Sequence, residues 1–272
     1  MTAQEPRSYD TGSDKLLCTV DDGVATITFN QPDKHNALSI EMQRALGRVL
    51  PALQDDPSVR VLVLTGAGAK AFVSGADISE FGEQRTAPEA RAAYDAAVGE
   101  TTAAWRATSK PIIARIRGYC IGGGLITAMQ ADIRIASVDS QFAIPAARLG
   151  LGYAYGGVEA LVGLVGPAAA AEMLFSARRL SADEALRIGL VNRVVPIDEL
   201  EPAVEELARS ICANAPMTVA ACKAAIGDLR RAPAQRDMAR VNAMIEACFR
   251  SQDYLEGQRA FAEKRPPRFA GS

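Results

Sequence analysis

Along the first thirty residues, apolar and polar positions alternate with the period of an extended chain. Leu16–Val20 and Val24–Phe29 are short apolar and β-branched runs split by Asp21-Asp22-Gly23, which predicts a hairpin. From Ser39 the period lengthens. Leu46, Val49, Leu50 and Leu53 fall on one face, so an amphipathic helix is expected from a Ser39 cap to about Gln54. Val61–Leu64 is apolar throughout and runs into Thr65-Gly66-Ala67-Gly68, the pattern of a buried strand feeding a loop. A helix follows from Pro88 to about Trp105, then a strand over Pro111–Ile116, a helix over Gly122–Gln130, and strands at Ile133–Ala136 and Val191–Val195. Beyond Asp198 only helical periods remain, over Asp198–Cys212, Pro216–Leu229, Ala234–Phe249 and Gln252–Glu263.

Alternation of strands and helices argues for α/β layering. The expected organisation is a loose polar leader over residues 1–14, an α/β core over 15–205 and a helical region over 206–272. Composition narrows the function. With 30 Lys and Arg against 32 Asp and Glu, the chain carries a formal charge of -2 and offers no global field for nucleic acid. No apolar run is expected to reach the roughly 20 residues of a membrane span, so no membrane partner is expected. Five cysteines without a Cys-x-x-Cys spacing argue against a disulfide framework or a zinc site and fit a cytoplasmic location. His35 is the single histidine, which removes most histidine-based metal sites and weakens any Ser-His-Asp triad.

Two segments carry candidate chemistry. In Arg117-Gly118-Tyr119-Cys120-Ile121-Gly122-Gly123-Gly124-Leu125-Ile126-Thr127-Ala128 an apolar strand enters three glycines and then a helix. The first turn of a helix has N–H groups without partners, and glycine lets an anionic oxygen approach them. The same run also serves tight strand–helix packing. It lacks the Gly-Lys-Ser/Thr ending of a phosphate loop and the spacing of a dinucleotide fingerprint. The second segment is Lys70-Ala71-Phe72-Val73-Ser74-Gly75-Ala76-Asp77-Ile78-Ser79-Glu80-Phe81. Its small residues leave the backbone open just before Asp77 and Glu80, which are spaced as the start of a short helix. Two such places could aim two N–H donors at one carbonyl oxygen.

Both segments, in this order, resemble the crotonase family, the enoyl-CoA hydratase/isomerase superfamily. The resemblance extends through Asn30-Gln31-Pro32 to His35-Asn36-Ala37-Leu38, Lys110–Ala114, Asp132–Ala136, Leu149-Gly150-Leu151, Ala185–Val195, and Glu256-Gly257 with Phe261 and Lys264-Arg265. It implies an α/β fold, a crotonase-like spiral of ββα repeats with a C-terminal helical trimerisation region, assembled as a homotrimer or hexamer. It implies an acyl-CoA thioester as ligand, coenzyme A being part of the substrate and no separate cofactor or metal being needed. The thioester oxygen would be held by the backbone N–H groups of Ala76 and Gly123. His35, Ala37, Leu38, Ser74, Gly75, Asp77, Ile78, Ile121 and Gly122 would line the coenzyme A. Phe261 and Lys264 match positions that help bind its nucleotide end, in some members from a neighbouring subunit.

The chain departs from the family at the acids. Hydratases of this family carry one glutamate three residues after the oxyanion glycine, here Ile126, and another after the proline that is here Pro145, a place taken by Ala146. Some isomerases carry an aspartate where Ala154 stands. A positioned acid or base contributes roughly 10²–10⁴ in rate, so hydration is expected to be crippled. The oxyanion contacts alone would still contribute roughly 10²–10³. Tyr119, Cys120, Arg148, Tyr153, Tyr155 and Glu159 lie near the relevant loops as substitutes, each with an ordinary packing or surface role beside it. The leading expectation is a lyase or isomerase working through a thioester enolate in fatty-acid or other acyl-CoA metabolism. The alternative is an acyl-CoA-binding protein without turnover. A serine hydrolase on the related spiral of Clp-type proteases fails because His35 lies outside any plausible triad.

Overall fold

Alternate residues of the central strands face two different cores, and this organises the molecule. The computed structural model describes residues 6–77 and 88–272. A seven-stranded sheet is built in the order β1 (Arg7–Tyr9), β2 (Leu16–Asp21), β3 (Val24–Phe29), β4 (Val61–Gly66), β6 (Ile112–Ile116), β8 (Ile133–Ser137) and β11 (Arg193–Val195). The hairpin β2–β3 pairs Leu16 with Phe29 and Asp21 with Val24, and from β3 onward neighbours run parallel. In β4, Leu62 and Leu64 enter the main core with helix α1 (Ile40–Asp55), while Val61 and Val63 enter a second core. The helix on that second face is Leu200–Cys212, through Leu200, Val204 and Ala208. A parallel strand covered on both faces has to be apolar on both, and β4 is apolar and buried at each position of Val61–Leu64.

A second sheet has the order β10 (Leu180–Ser181), β9 (Gln141–Ala143), β7 (Tyr119–Ile121) and β5 (Ala71–Val73). Three successive chain turns each give one strand to the large sheet and the next to the small one: β4 then β5, β6 then β7, β8 then β9. Helices follow each turn, namely α2 (Pro88–Ala107), α3 (Gly123–Ala128) and α4 (Tyr155–Ser176). This is the expected spiral of ββα units. Then come α5 (Ala182–Arg187), α6 (Leu200–Cys212), α7 (Pro216–Leu229), α8 (Met238–Phe249) and α9 (Gln252–Glu263).

Three expectations need correction. The leader over 1–14 is not loose throughout, because β1 pairs antiparallel with β2 and Thr11 is buried. The boundary at residue 205 falls inside α6, one continuous helix whose Ala208 is in the second core, so the helices that leave the sheet begin at Pro216. Helix α4 went unrecognised. By length and a mean hydropathy of 1.6 it is sufficient to cross a membrane, against the expectation of no such stretch. However, its backbone breaks at Gly166 (φ 76°) ahead of Pro167, and it carries Glu159 and Glu172. The two halves of α4 pack Leu161, Ala170 and Met173 into the main core.

Strand β1 is pinned at one point. The Asp56 carboxylate at the end of α1 accepts hydrogen bonds from the Tyr9 hydroxyl, the Arg7 guanidinium and Ser58. The Tyr9 bond, opposed in part by burial, leads in holding the carboxyl well below its ordinary pKa; burial and the same bond push Tyr9 up to about 12. Because the folded carboxyl has the lower pKa, its stabilisation is fully present above about pH 4 and is lost as the pH falls further. Asp56→Asn is expected to cost about 1–3 kcal/mol at pH 7 and clearly less near pH 2, where the unfolded carboxyl is already protonated, measured by urea denaturation at both pH values. An equal loss at both would mean that the carboxylate charge contributes nothing.

Candidate functional site

The site begins with a turn that only its sequence permits. After β7 the chain reverses at Gly122, whose φ of 54° and ψ of -116° suit glycine, and enters α3. Gly124 lies so close to β5 that a Cβ would stand 2.0 Å from the Val73 carbonyl oxygen. That contact sets the first turn of α3 against the segment leaving β5. There Leu38 N–H donates to Gly75 O (2.7 Å) and Asp77 N–H donates to Leu38 O (2.8 Å), so Leu38 and Ala76 form a parallel bridge. A Cβ built on Gly123 would lie 3.4 Å from Ala76 N and 3.5 Å from Leu38 Cδ1. Two positions remote in sequence therefore adjoin. Among the described residues neither the Ala76 N–H nor the Gly123 N–H has a hydrogen-bond acceptor.

Asn36, which the sequence marked only as part of the His35–Leu38 stretch, braces this arrangement. Fully buried, it donates from Nδ2 to Ala67 O (2.9 Å) and Ala71 O (2.8 Å) and accepts Gln31 N–H on Oδ1 (2.9 Å). Its φ of 56° is one that asparagine tolerates better than most residues, the available sequence signal. Lys34 Nζ lies 2.8 Å from the buried Asp77 carboxylate, joining the 3-10 turn Pro32–Lys34 to the segment after β5.

A sequence model described as enoyl-CoA hydratase/isomerase matches residues 19–272, nearly the whole chain. The chain belongs to this family. Among curated relatives of this crotonase-family protein, a short-chain-enoyl-CoA hydratase of Clostridium acetobutylicum is 38% identical over 242 residues, covering 89% of this chain and 92% of the relative. A crotonyl-CoA hydratase of Syntrophomonas wolfei is 36% identical, with 94% and 98% covered. The crystal structure of an enoyl-CoA hydratase/carnithine racemase from Magnetospirillum magneticum superposes with a TM-score of 0.88 at 37% identity, covering 96% of this chain and 97% of that one. The chain is thus an α/β member of a family that processes acyl-CoA.

Placement of the remaining candidates follows from the same contacts. His35 is half-buried at φ 52°, accepts Ser74 N–H on its carbonyl (3.1 Å) and sets its ring edge-on to Tyr119. Ala37 is buried beside Leu38, and Ile121 O lies 3.5 Å from where a Cβ of Gly75 would stand. Ile78, and the short helix expected to start at Asp77 and Glu80, lie outside the described residues. Gly122 N–H donates to Ala143 O (2.8 Å), and Pro145 Cδ comes within 3.9 Å of a Cβ at Gly122, which seats Pro145 and the buried Ala146 beside the glycine turn. Half-buried Ile126 donates its N–H to Gly122 O (3.1 Å), one helical turn along. Phe261 is 88% exposed on α9, and Lys264 caps that helix at φ 52°. Their described contacts remain at the end of α9, and none joins them to the glycine pair within one chain.

Proposed function

We propose that this protein binds an acyl-CoA thioester with its carbonyl oxygen between the N–H groups of Ala76 and Gly123, so that negative charge developing on that oxygen is stabilised. The observation that carries this is the adjacency of those two N–H groups, each without a described acceptor, at the meeting point of two spiral turns. Helix α3 adds the positive end of its dipole on the same side. His35, Ala37, Leu38, Ser74, Gly75, Asp77, Ile78, Ile121 and Gly122 are read as the coenzyme A lining, and coenzyme A enters as part of the substrate. Enolate chemistry of the lyase or isomerase type is the leading reading. Apolar Ile126, Ala146 and Ala154 favour a second one, binding without turnover.

Assembly as a trimer or hexamer belongs to the same proposal. The last two helices expose Met238, Phe249, Leu255 and Phe261, and α4 exposes Phe175, large apolar side chains that an interface between copies would cover. Phe261 and Lys264 would reach coenzyme A across such an interface. The free cysteines fit a cytoplasmic location.

Titration of the protein with free coenzyme A and with acetyl-, butanoyl-, crotonyl- and octanoyl-CoA, each also followed for product, tests the reading. Thioesters are expected to bind about tenfold or more tightly than free coenzyme A, since only they fill the two N–H groups. Binding of every thioester with no product would establish the second reading. No binding at all would end both.

A further inference from the structure

We infer that Tyr153 is the hydrogen-bonding residue at the acyl end of the site and selects acyl groups that carry an oxygen acceptor. The inference rests on the acyl-CoA reading above and names the substrate class within it.

Tyr153 lies in the segment that joins Ala146 to Ala154, two of the positions where relatives are expected to carry acids. Ala146 belongs to a short 3-10 helix, Pro145–Leu149, seated beside the Gly122 turn, and its carbonyl accepts Leu151 N–H (3.0 Å). That bond folds the chain back immediately before Tyr153. Two residues later α4 starts, and Gly157 in its first turn lies against the tyrosine ring: a Cβ there would be 2.9 Å from Cε1. The ring is thereby fixed, packed on the same main core as Ile126 and Ala146.

The phenol oxygen is buried and has no hydrogen-bond partner among the described residues. Burial raises its pKa well above 10, so the group remains a protonated donor at neutral pH. Four other buried or half-buried hydroxyls among the described residues are satisfied. Tyr9 is bonded to Asp56, Thr101 to Gln43 O and Ala97 O, Thr127 to Gly123 O, and Ser140 to Ile116 O. Buried polar atoms without partners are rare in folded proteins, and each calls for a cause. Among the described residues three more such atoms are present, Gln31 Oε1, Arg60 Nη1 and Arg117 Nε, and none belongs to the segment carrying Ala146 and Ala154. A donor without a partner, in the segment between Ala146 and Ala154, matches an acceptor supplied by the ligand: a hydroxyl, an oxo group or a carboxylate on the acyl chain. It would be a specificity residue, positioned to pair that oxygen and to leave the thioester carbonyl to Ala76 and Gly123.

The test compares butanoyl-CoA with 3-hydroxybutanoyl-CoA and malonyl-CoA by titration calorimetry, on the unaltered protein and on Tyr153→Phe. The unaltered protein is expected to bind at least one oxygen-bearing thioester about tenfold more tightly than butanoyl-CoA, the size of one well-placed hydrogen bond. Tyr153→Phe should erase that preference, hold butanoyl-CoA affinity within about twofold and leave the melting temperature unchanged or higher, because no partner loses a bond. An unaltered protein that binds all three equally well overturns the inference without any variant, and leaves the acyl-CoA reading standing. A variant that melts lower and keeps its preference also overturns it, assigning the hydroxyl to structure. Failure of the unaltered protein to bind any thioester overturns the acyl-CoA reading, and the inference falls with it.

Discussion

Gly123→Ala is expected to lower turnover of any processed acyl-CoA by about 10²–10³, the effect of losing one oxyanion donor, while the chain folds normally. The space decides this. A methyl at Gly123 would meet Ala76 N at 3.4 Å, Leu38 Cδ1 at 3.5 Å and the Gly75 carbonyl carbon at 3.6 Å, all ordinary contacts. Its backbone is helical, so no strained conformation is imposed. Yet the methyl occupies the space before the Ala76 N–H, where the thioester oxygen is proposed to sit. Gly124→Ala is the contrast, since its methyl would collide with Val73 O at 2.0 Å and disturb the strand–helix packing itself. Thermal melting and butanoyl-CoA titration on both variants separate the effects. A Gly123→Ala protein with native melting and undiminished binding and turnover would move the carbonyl site elsewhere.

Crotonyl-CoA hydration by the unaltered protein is expected to be slow, and Ile126→Glu with Ala146→Glu is expected to raise it by about 10² or more. Hydration needs one group to take a proton from water and another to deliver one to the α-carbon. Ile126 stands one helical turn beyond Gly122, and Ala146 sits beside the same turn, so glutamates there would flank the thioester. Neither side chain present can exchange a proton. The installation has a cost. Ala146 is buried, and a longer charged side chain would overpack the wall, by roughly 1–3 kcal/mol, with a raised carboxyl pKa. Following loss of the conjugated-enoyl absorbance for both proteins at equal concentration decides the matter. Efficient hydration by the unaltered protein, in keeping with the names of its relatives, would mean that another group has replaced the two glutamates.

Long elements were legible because their burial imposes a period. The hairpin β2–β3, helix α1 with its Ser39 cap accepting Met42 N–H (3.2 Å), and helices α7 and α9 lie where the apolar pattern places them. Strands β5, β7 and β9 have three residues each, too few to display a period, and become strands only by pairing with one another. Helix α4 has no polar stripe to mark a face, because apolar residues surround it and Gly166-Pro167 interrupts it. Helix α8 begins at Met238 rather than Ala234: Pro233–Gln235 forms a 3-10 turn, and Asp237 Oδ1 accepts Arg240 N–H (2.9 Å) as the true cap.

By itself the sequence determined the α/β class, the glycine turn before α3 and the apolar residues at positions 126 and 146, because these depend on local period and residue identity. Only the tertiary structure decided that Ala76 and Gly123 adjoin, that Asn36 braces the loop entering β5 and that the Tyr153 hydroxyl is buried without a partner. Each of these depends on which spiral turn stacks on which. That stacking is set by the two cores and by strand pairing across the small sheet, interactions between residues that no local pattern connects.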